Sequence, residues 1–196
     1  MMIYETIVTT QSPAGALHFA PMGVRYEGAD SSDSARVLLM PFKPSRTLDN
    51  ILATRHAVLN LTNDVRVFAG CVTGRREWPT LALEGFNGRR LQDALAHVEL
   101  TLSGDQDDAL RPTLHMRRVR EGVHGAFPGF NRAQAAVIEG AVLVSRLGML
   151  PREKVETEMD YLQIAIDKTA GERELEAWDW LYAAVQDFFA CKPEAR

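Results

Sequence analysis

Cysteine is scarce in this sequence: Cys71 and Cys191 are the only two in 196 residues, and they lie far apart. That excludes a disulfide-stapled scaffold and any CxxC redox or zinc spacing. Two reduced, structural thiols are expected. Histidine is also sparse. Its five copies are scattered and form no HExxH pattern, so no dedicated metal site is expected. No apolar run reaches the roughly 18 residues that a membrane helix needs, and no membrane partner is expected. The opening MMIYETIVTT has no basic stretch ahead of an apolar core, so it does not read as a secretory signal. The expected location is the cytoplasm. Positive charge is in deficit, with 22 Lys and Arg against 26 Asp and Glu and a net charge of −4. A general nucleic-acid binder would carry a basic stripe instead. Arg117, Arg118 and Arg120 do cluster, but they fall in a β-like run, where alternation sends neighbours to different faces. The dinucleotide fingerprint GxGxxG is missing.

What is present changes character near Gly125 to Phe130. Ahead of that point, short runs rich in Val, Thr, Ile and Leu alternate with Gly, Pro, Asp and Ser clusters, which is the chemistry of strands and turns. Strands are predicted at Ile3 to Thr10, Leu17 to Tyr26, Ala35 to Met40, Val58 to Thr62, His97 to Ser103 and Leu114 to Arg120. A hairpin loop is predicted at Gln11 to Gly15, a short helix at Thr47 to Thr54, and a polar loop at Glu27 to Ser34. Behind it, apolar residues recur every three or four positions in three stripes. Val137, Ala141 and Val144 begin the first, Val155, Met159, Leu162 and Ile166 form the second, and Leu175, Trp178, Tyr182, Val185 and Phe189 form the third. These are amphipathic helices. Asn131 is placed to cap the first, Gly148 to end it, Pro151 to open the second, and Gly171 to separate the second from the third. Strands first and helices last, without βαβ alternation, indicate an α+β chain with an antiparallel barrel at residues 1–125 and a three-helix subdomain at 126–196.

Three stretches carry candidate chemistry. In PFKPSRTLDN, Lys43, Ser45, Arg46 and Thr47 stand where a helix begins, and such a helix start can cradle an anion. The same residues also fit a plain Ser45 cap with solvated basic neighbours. In HFAPMG, Pro21 cannot donate to a ladder, so this strand is an edge or carries a bulge. Its exposed amides could meet the polar rim of a flat ring, or it could be an edge strand with no ligand. In AVLNLTND, Asn60 and Thr62 share one strand face and suit either a ligand or a turn. Arg132, Glu139 and Arg146 recur every seven residues on the first long helix, as a pocket wall for an acidic substrate or as a solvated face. The aromatic set Trp178, Trp180, Tyr182, Phe188 and Phe189 reads as core or interface.

The order of these stretches resembles the flavin-reductase-like, FMN-binding split-barrel proteins. More narrowly, IYETIVTT, HFAPMG, PFKPSRTLDN, NLTNDV and GFNRAQAAVIEGAVLVSRLGML are similar to a branch defined as a domain of unknown function. That branch has a helical C-terminal part and is found in one-carbon-metabolising microbes. The similarity runs over roughly residues 2 to 190. The resemblance implies an antiparallel split β-barrel with FMN as cofactor and with phosphate contacts from Ser45, Arg46 and Thr47, Asn50 lying nearby. It implies Ala20, Pro21, Met22 and Gly23 along the flavin, Asn60 and Thr62 near the ribityl or phosphate end, and His18 beside the ring as a hydrogen-bonding group. It further implies a homodimer with FMN near the interface, where His115 or Arg117 could reach the partner's cofactor. An FMN-dependent oxidoreductase using NAD(P)H is the activity that follows. A non-enzymatic flavin carrier or redox sensor, and a cofactor-free structural module, remain open alternatives. No residue demands acid–base chemistry, so no catalytic residue is assigned.

Overall fold

The computed structural model describes residues 2–28 and 36–191, so most of the polar loop expected at Glu27 to Ser34 lies outside the described residues. The chain divides into two compact units, Met1–Thr62 with Glu77–Phe127 and Asn63–Arg76 with Pro128–Arg196.

The first unit is a closed, six-stranded antiparallel barrel. Its strands are β1 (Tyr4–Gln11), β2 (Leu17–Glu27), β3 (Arg36–Leu39), β4 (His56–Leu61), and the two long strands Ala96–Gln106 and Thr113–Val123. The last two are numbered β7 and β8, because the short hairpin β5 (Thr80–Ala82) and β6 (Arg89–Leu91) precedes them. The barrel order is β1-β2-β3-β8-β7-β4, closed by β4 on β1. A run of β-branched residues, Thr6 to Thr10, makes β1 a natural strand. Five residues join β1 to β2, with Gly15 at φ 83° and its N–H donating to the Ser12 carbonyl at 2.8 Å.

Period-2 alternation then sorts the side chains. Val8, Val24, Val37, Leu39, Ala57, Leu59, Val98, Leu100, Leu102, Leu114 and Met116 fill the interior together with Leu48 and Ile51 of a short helix, α1 (Arg46–Thr54). Outside, Ile7 and Val58 are also fully buried, and Leu91 on β6 is 4% exposed beside them. The β5–β6 hairpin therefore covers the outer face of β1 and β4. Its strands have three residues each, too few to show a period in the sequence.

Pairing between β2 and β3 is short: Arg25, Tyr26 and Glu27 meet Leu38, Val37 and Arg36. From Leu17 to Val24, β2 pairs with β1 alone. This is the split in the barrel. On β8, one extra residue, Val119, is inserted opposite β7, so that Arg118 faces Leu100 and Arg120 faces Glu99. The bulge overrides simple alternation, and Arg117 (opposite Thr101) and Arg120 come to share the outer face.

The second unit holds α2 (Arg66–Val72), α3 (Arg132–Ser145), α4 (Arg152–Thr169) and α5 (Glu172–Ala190). The sequence shows no sign of α2, because RVFAGCV is apolar nearly all round and is too short for a 3.6-residue stripe to emerge. The Asn131 side chain caps α3 by accepting from the N–H groups of Ala133 and Gln134. Gly171 opens α5, where Glu174 accepts from the Gly171 N–H at 3.0 Å. Pro151 immediately precedes the first turn of α4. The first helix stops at Arg146, ahead of the expected Gly148. Trp178 lies in the core of the unit and donates its indole N–H to Gln163 at 2.7 Å, whereas Tyr182 is exposed. Among the described residues, no helix is long and apolar enough to cross a membrane, and no group of His, Cys, Asp and Glu could hold a metal ion.

Candidate functional site

The site begins at the helix that follows PFKP. Ser45 is extended (φ −143°, ψ 117°) and its hydroxyl accepts from the Leu48 N–H at 3.2 Å, a side-chain cap on α1. Its carbonyl accepts the first intrahelical bond, from the Asp49 N–H. Arg46, the first helical residue, is exposed. Positive partial charge at the helix start and an exposed guanidinium therefore coincide. Lys43 is differently placed. Its ammonium holds Asp107 at 2.7 Å, an ion pair that tethers the β7–β8 loop and keeps the Asp107 carboxyl below the usual carboxylate range. The Lys43–Pro44 peptide bond is cis.

One turn into α1 the character changes. Thr47 and Asn50 are 1% and 5% exposed, turned toward the barrel with Leu48 and Ile51. Asn50 donates to the Thr10 hydroxyl at 3.0 Å. Thr10 stands opposite His18 in the β1–β2 register, and the same face continues through Val8 with Ala20 and Thr6 with Met22. The Thr6 hydroxyl donates to the Met22 carbonyl at 2.9 Å. Thus α1 is hydrogen-bonded to β1 just across from the start of the unpaired β2 edge. Pro21 fits this edge: its missing N–H costs nothing where the strand has a partner on one side only. The register runs through it without a bulge. Of edge and bulge, the two options that Pro21 left open, the edge is the one observed.

Gly23 is required for a packing reason. A Cβ there would lie 2.7 Å from the Ile3 side chain and 3.4 Å from the Glu5 carboxyl. Pro21 and Gly23 face the opposite side of β2 from His18, Ala20 and Met22, following the strand's period. The six-residue stretch therefore presents two surfaces and one backbone edge.

Asn60 departs from its expected role. It is fully buried on the outer side of β4, and its amide is committed within the chain. The NH₂ group donates to the Ile7 carbonyl at 3.0 Å and the Thr9 hydroxyl at 2.9 Å, and the carbonyl oxygen accepts from the Leu91 N–H at 2.7 Å. It locks the β5–β6 hairpin onto β1: both amide hydrogens are spent within the chain, and the oxygen keeps one lone pair beyond the Leu91 bond. Thr62, half-buried, follows the end of the same strand. The residue that sequence reasoning missed is Thr10, although the alternation of Thr6, Val8 and Thr10 was available as a signal.

A second polar cluster lies on the outer face of β7. Glu99 is 1% exposed and accepts two bonds from the Arg120 guanidinium, at 2.6 and 2.9 Å. The Nδ1 of His97 and the Nε2 of His124 are 2.8 Å apart, with the rings stacked. Burial and then the neighbouring His124 push the His97 imidazole below its ordinary value. Of the two residues expected to reach a partner's cofactor, His115 lies 3.7 Å from Glu27 and Arg117 is exposed.

Comparison with solved structures identifies the fold. An FMN-bound protein of Methanosarcina mazei superposes with a TM-score of 0.79 at 22% identity, covering 93% of this chain and 94% of that one. Other solved structures match over a smaller share of the chain. The 2-nitrobenzoate 2-nitroreductase of Pseudomonas fluorescens gives a TM-score of 0.53 at 17% identity, over 61% of this chain and 64% of that one. An FMN-binding protein of Thermus thermophilus gives 0.52 at 16% identity, over 61% and 71%. The architecture is thus that of the flavin-reductase-like split barrel with an added helical part. No curated protein matches the chain. Two family models do, one described as the N-terminal domain of a protein of unknown function (DUF447), over residues 4–125, and its companion, over residues 131–183. Together they span most of the sequence, and the chain belongs to the DUF447 family.

Proposed function

We propose that this chain binds FMN, with the phosphate at the start of α1 and the isoalloxazine along the unpaired edge of β2, and that it is an oxidoreductase moving hydride or electrons between a nicotinamide and a small acceptor. One observation carries the reading: a capped helix start with an exposed arginine is hydrogen-bonded, through Asn50 and Thr10, to the strand face opposite an edge that has no strand partner. A dianion and a planar ring with a polar rim are what those two features accept. Support also comes from the similar Methanosarcina mazei protein being FMN-bound.

In this reading Arg46 grips the phosphate, Ser45 fixes the helix start, and backbone groups from Ala20 to Gly23 hydrogen-bond the ring. Thr47 and Asn50 are buried and hold the cradle in place from behind. Flavin supplies the hydride and electron chemistry when bound, while the protein binds, orients and shields it. His18 lies on the strand face beside the ring as a hydrogen-bonding group.

Fluorescence titration of FMN into Arg46→Ala tests the site. Loss of a charge-assisted phosphate contact, worth about 1.5–3 kcal/mol, raises Kd by roughly tenfold to a hundredfold. An unaltered affinity removes Arg46 from the site. Anaerobic addition of NADH or NADPH to the FMN-loaded protein tests the activity, since bleaching of the flavin absorbance is required of an oxidoreductase. Bound flavin that neither nucleotide bleaches would mark a carrier or sensor.

A further inference from the structure

Three strands of the barrel bring basic side chains together where the split closes. In the registers of β2 with β3 and of β3 with β8, Glu27, Arg36 and Arg117 form one cross-strand row, and Arg25, Leu38 and His115 form the next. Tyr26, Val37 and Met116, the row between them, face the core. By the strand's period of two, the other two rows lie on the outer face. Leu38 is 7% exposed and makes an apolar floor there. Arg36 and Arg117 are exposed, and Arg25 and His115 are half-buried. Directly opposed residues have Cβ atoms about 4.5–5.5 Å apart and diagonal ones about 7–8 Å apart, so the three arginines spring from a patch about 10 Å across.

Their charges are not offset. Arg36 stands directly opposite Arg117, a like-charge pairing that destabilises a sheet. Glu27, the acidic member of the two rows, leans instead toward His115, at 3.7 Å. Among the described residues, the side chains of Arg25, Arg36 and Arg117 make no ion pair or hydrogen bond. Elsewhere on β8, Arg118 pairs with Glu121 and Arg120 with Glu99. The contrast is sharper because the whole chain has a net charge of −4. The Nε of Arg25 and the Nδ1 of His115 are also buried without a hydrogen-bond partner, and leftover buried polar atoms of this kind mark a place for water or an ion. A ligand with several anionic oxygens would relieve the Arg36–Arg117 repulsion, since arginine forks take phosphate or carboxylate oxygens two at a time.

We propose that Arg25, Arg36 and Arg117 form a binding site for a small polyanion, a molecule with at least two phosphate or carboxylate groups, on the outer face of the barrel. The site lies where the unpaired β2 edge, Leu17 to Val24, gives way to pairing with β3. Its role rests on the flavin reading in one respect: with the ring along that edge, the polyanion is the small acceptor, anchored by its charges beside the ring. Anion binding itself does not depend on FMN.

Calorimetric titration of the full chain with pyrophosphate and, separately, with citrate tests the site. An Arg46→Ala background keeps the start of α1 from competing. Saturable binding is expected, and the tighter of the two probes tells phosphate from carboxylate as the preferred chemistry. Arg36→Gln and Arg117→Gln, at exposed positions, should each weaken it at least about tenfold while the circular dichroism stays native. With Arg46 intact, FMN affinity should be the same in both variants as in wild type. No saturable binding of either probe below about 1 mM overturns the inference. So does binding that survives both substitutions, or a matching loss of FMN affinity, which would give these arginines to the cofactor. A chain that takes up pyrophosphate but no FMN would keep this site and lose the flavin reading.

Discussion

Asn50 on α1 and Thr10 on β1 meet across 3.0 Å in the buried end of the barrel, and this bond is the polar tie between the candidate phosphate cradle and the sheet. Its consequence is non-additivity. Asn50→Ala strands the Thr10 hydroxyl away from water and should cost about 1–3 kcal/mol in urea unfolding. The pair Thr10→Val with Asn50→Leu removes both polar groups and should cost clearly less than the sum of the single changes. Strict additivity in that double-mutant cycle would show that the bond does not couple helix to strand.

Asn60 makes a sharper prediction, because three of its partners are main-chain or buried groups. Asn60→Ala leaves the Leu91 N–H and the Thr9 hydroxyl unsatisfied under the β5–β6 hairpin. The expected loss is about 2–6 kcal/mol, from roughly 1–3 kcal/mol for each of the two orphaned buried groups. Hydrogen exchange should accelerate at Leu91 and across the hairpin, and the FMN affinity of the folded fraction should remain near that of wild type. A protein of unchanged stability but weakened flavin binding would return Asn60 to the cofactor.

Much of this architecture is legible from pattern alone. The Thr6–Thr10 run of β-branched residues and the apolar stripes of α3, α4 and α5 each repeat often enough for their period to show. The RVFAGCV helix and the TLA and RRL strands do not, being shorter than one full reading of a period. The site splits along the same line. Ser45 and Arg46 are local features, since a cap and a helix start are encoded in adjacent residues. Asn60 is not, because its partners Ile7, Thr9 and Leu91 are set by strand register and by a hairpin that covers the wrong side of the sheet for a ligand. Thr47 and Asn50 share the helix start with Arg46, yet the 3.6-residue turn points them inward. Spacing in a motif gives proximity, and only packing gives accessibility.

Protonation near His97 gives a pH dependence with a definite sign. Burial lowers the His97 imidazole first, His124 and Arg90 lower it further, and Glu99 opposes them. Burial and Arg90 lower His124 as well. A histidine whose folded value lies below its unfolded value, about 6.5, takes up protons on unfolding. Stability should therefore be level above about pH 7 and fall as pH drops through 6.5 toward the folded value. His97→Gln should flatten that slope between pH 7 and 5. The Asp107 carboxyl, also lowered, acts only below the usual carboxylate range and leaves this window untouched. A wild-type unfolding free energy that does not change from pH 7 to 5 would mean the two imidazoles are already free to charge.

The two thiols, alike in sequence, should behave as opposites toward reagents. Cys71 lies within α2, and burial pushes its thiol up to about 12, with only modest opposition from the Arg76 charge. At pH 8 a group of that pKa is about one part in ten thousand thiolate, and the thiolate is the nucleophile. Cys191, at the end of α5, is exposed. Ellman's reagent added to native protein should therefore release one equivalent quickly and the second far more slowly. Cys191→Ser should delete the fast phase and leave the slow one. The slow rate should rise with pH as the Cys71 thiolate fraction grows, and further with denaturant, as the half-buried thiol is uncovered when the α2 packing opens. Two native equivalents of equal rate would mean that α2 opens readily without unfolding, so that burial no longer controls the Cys71 thiol.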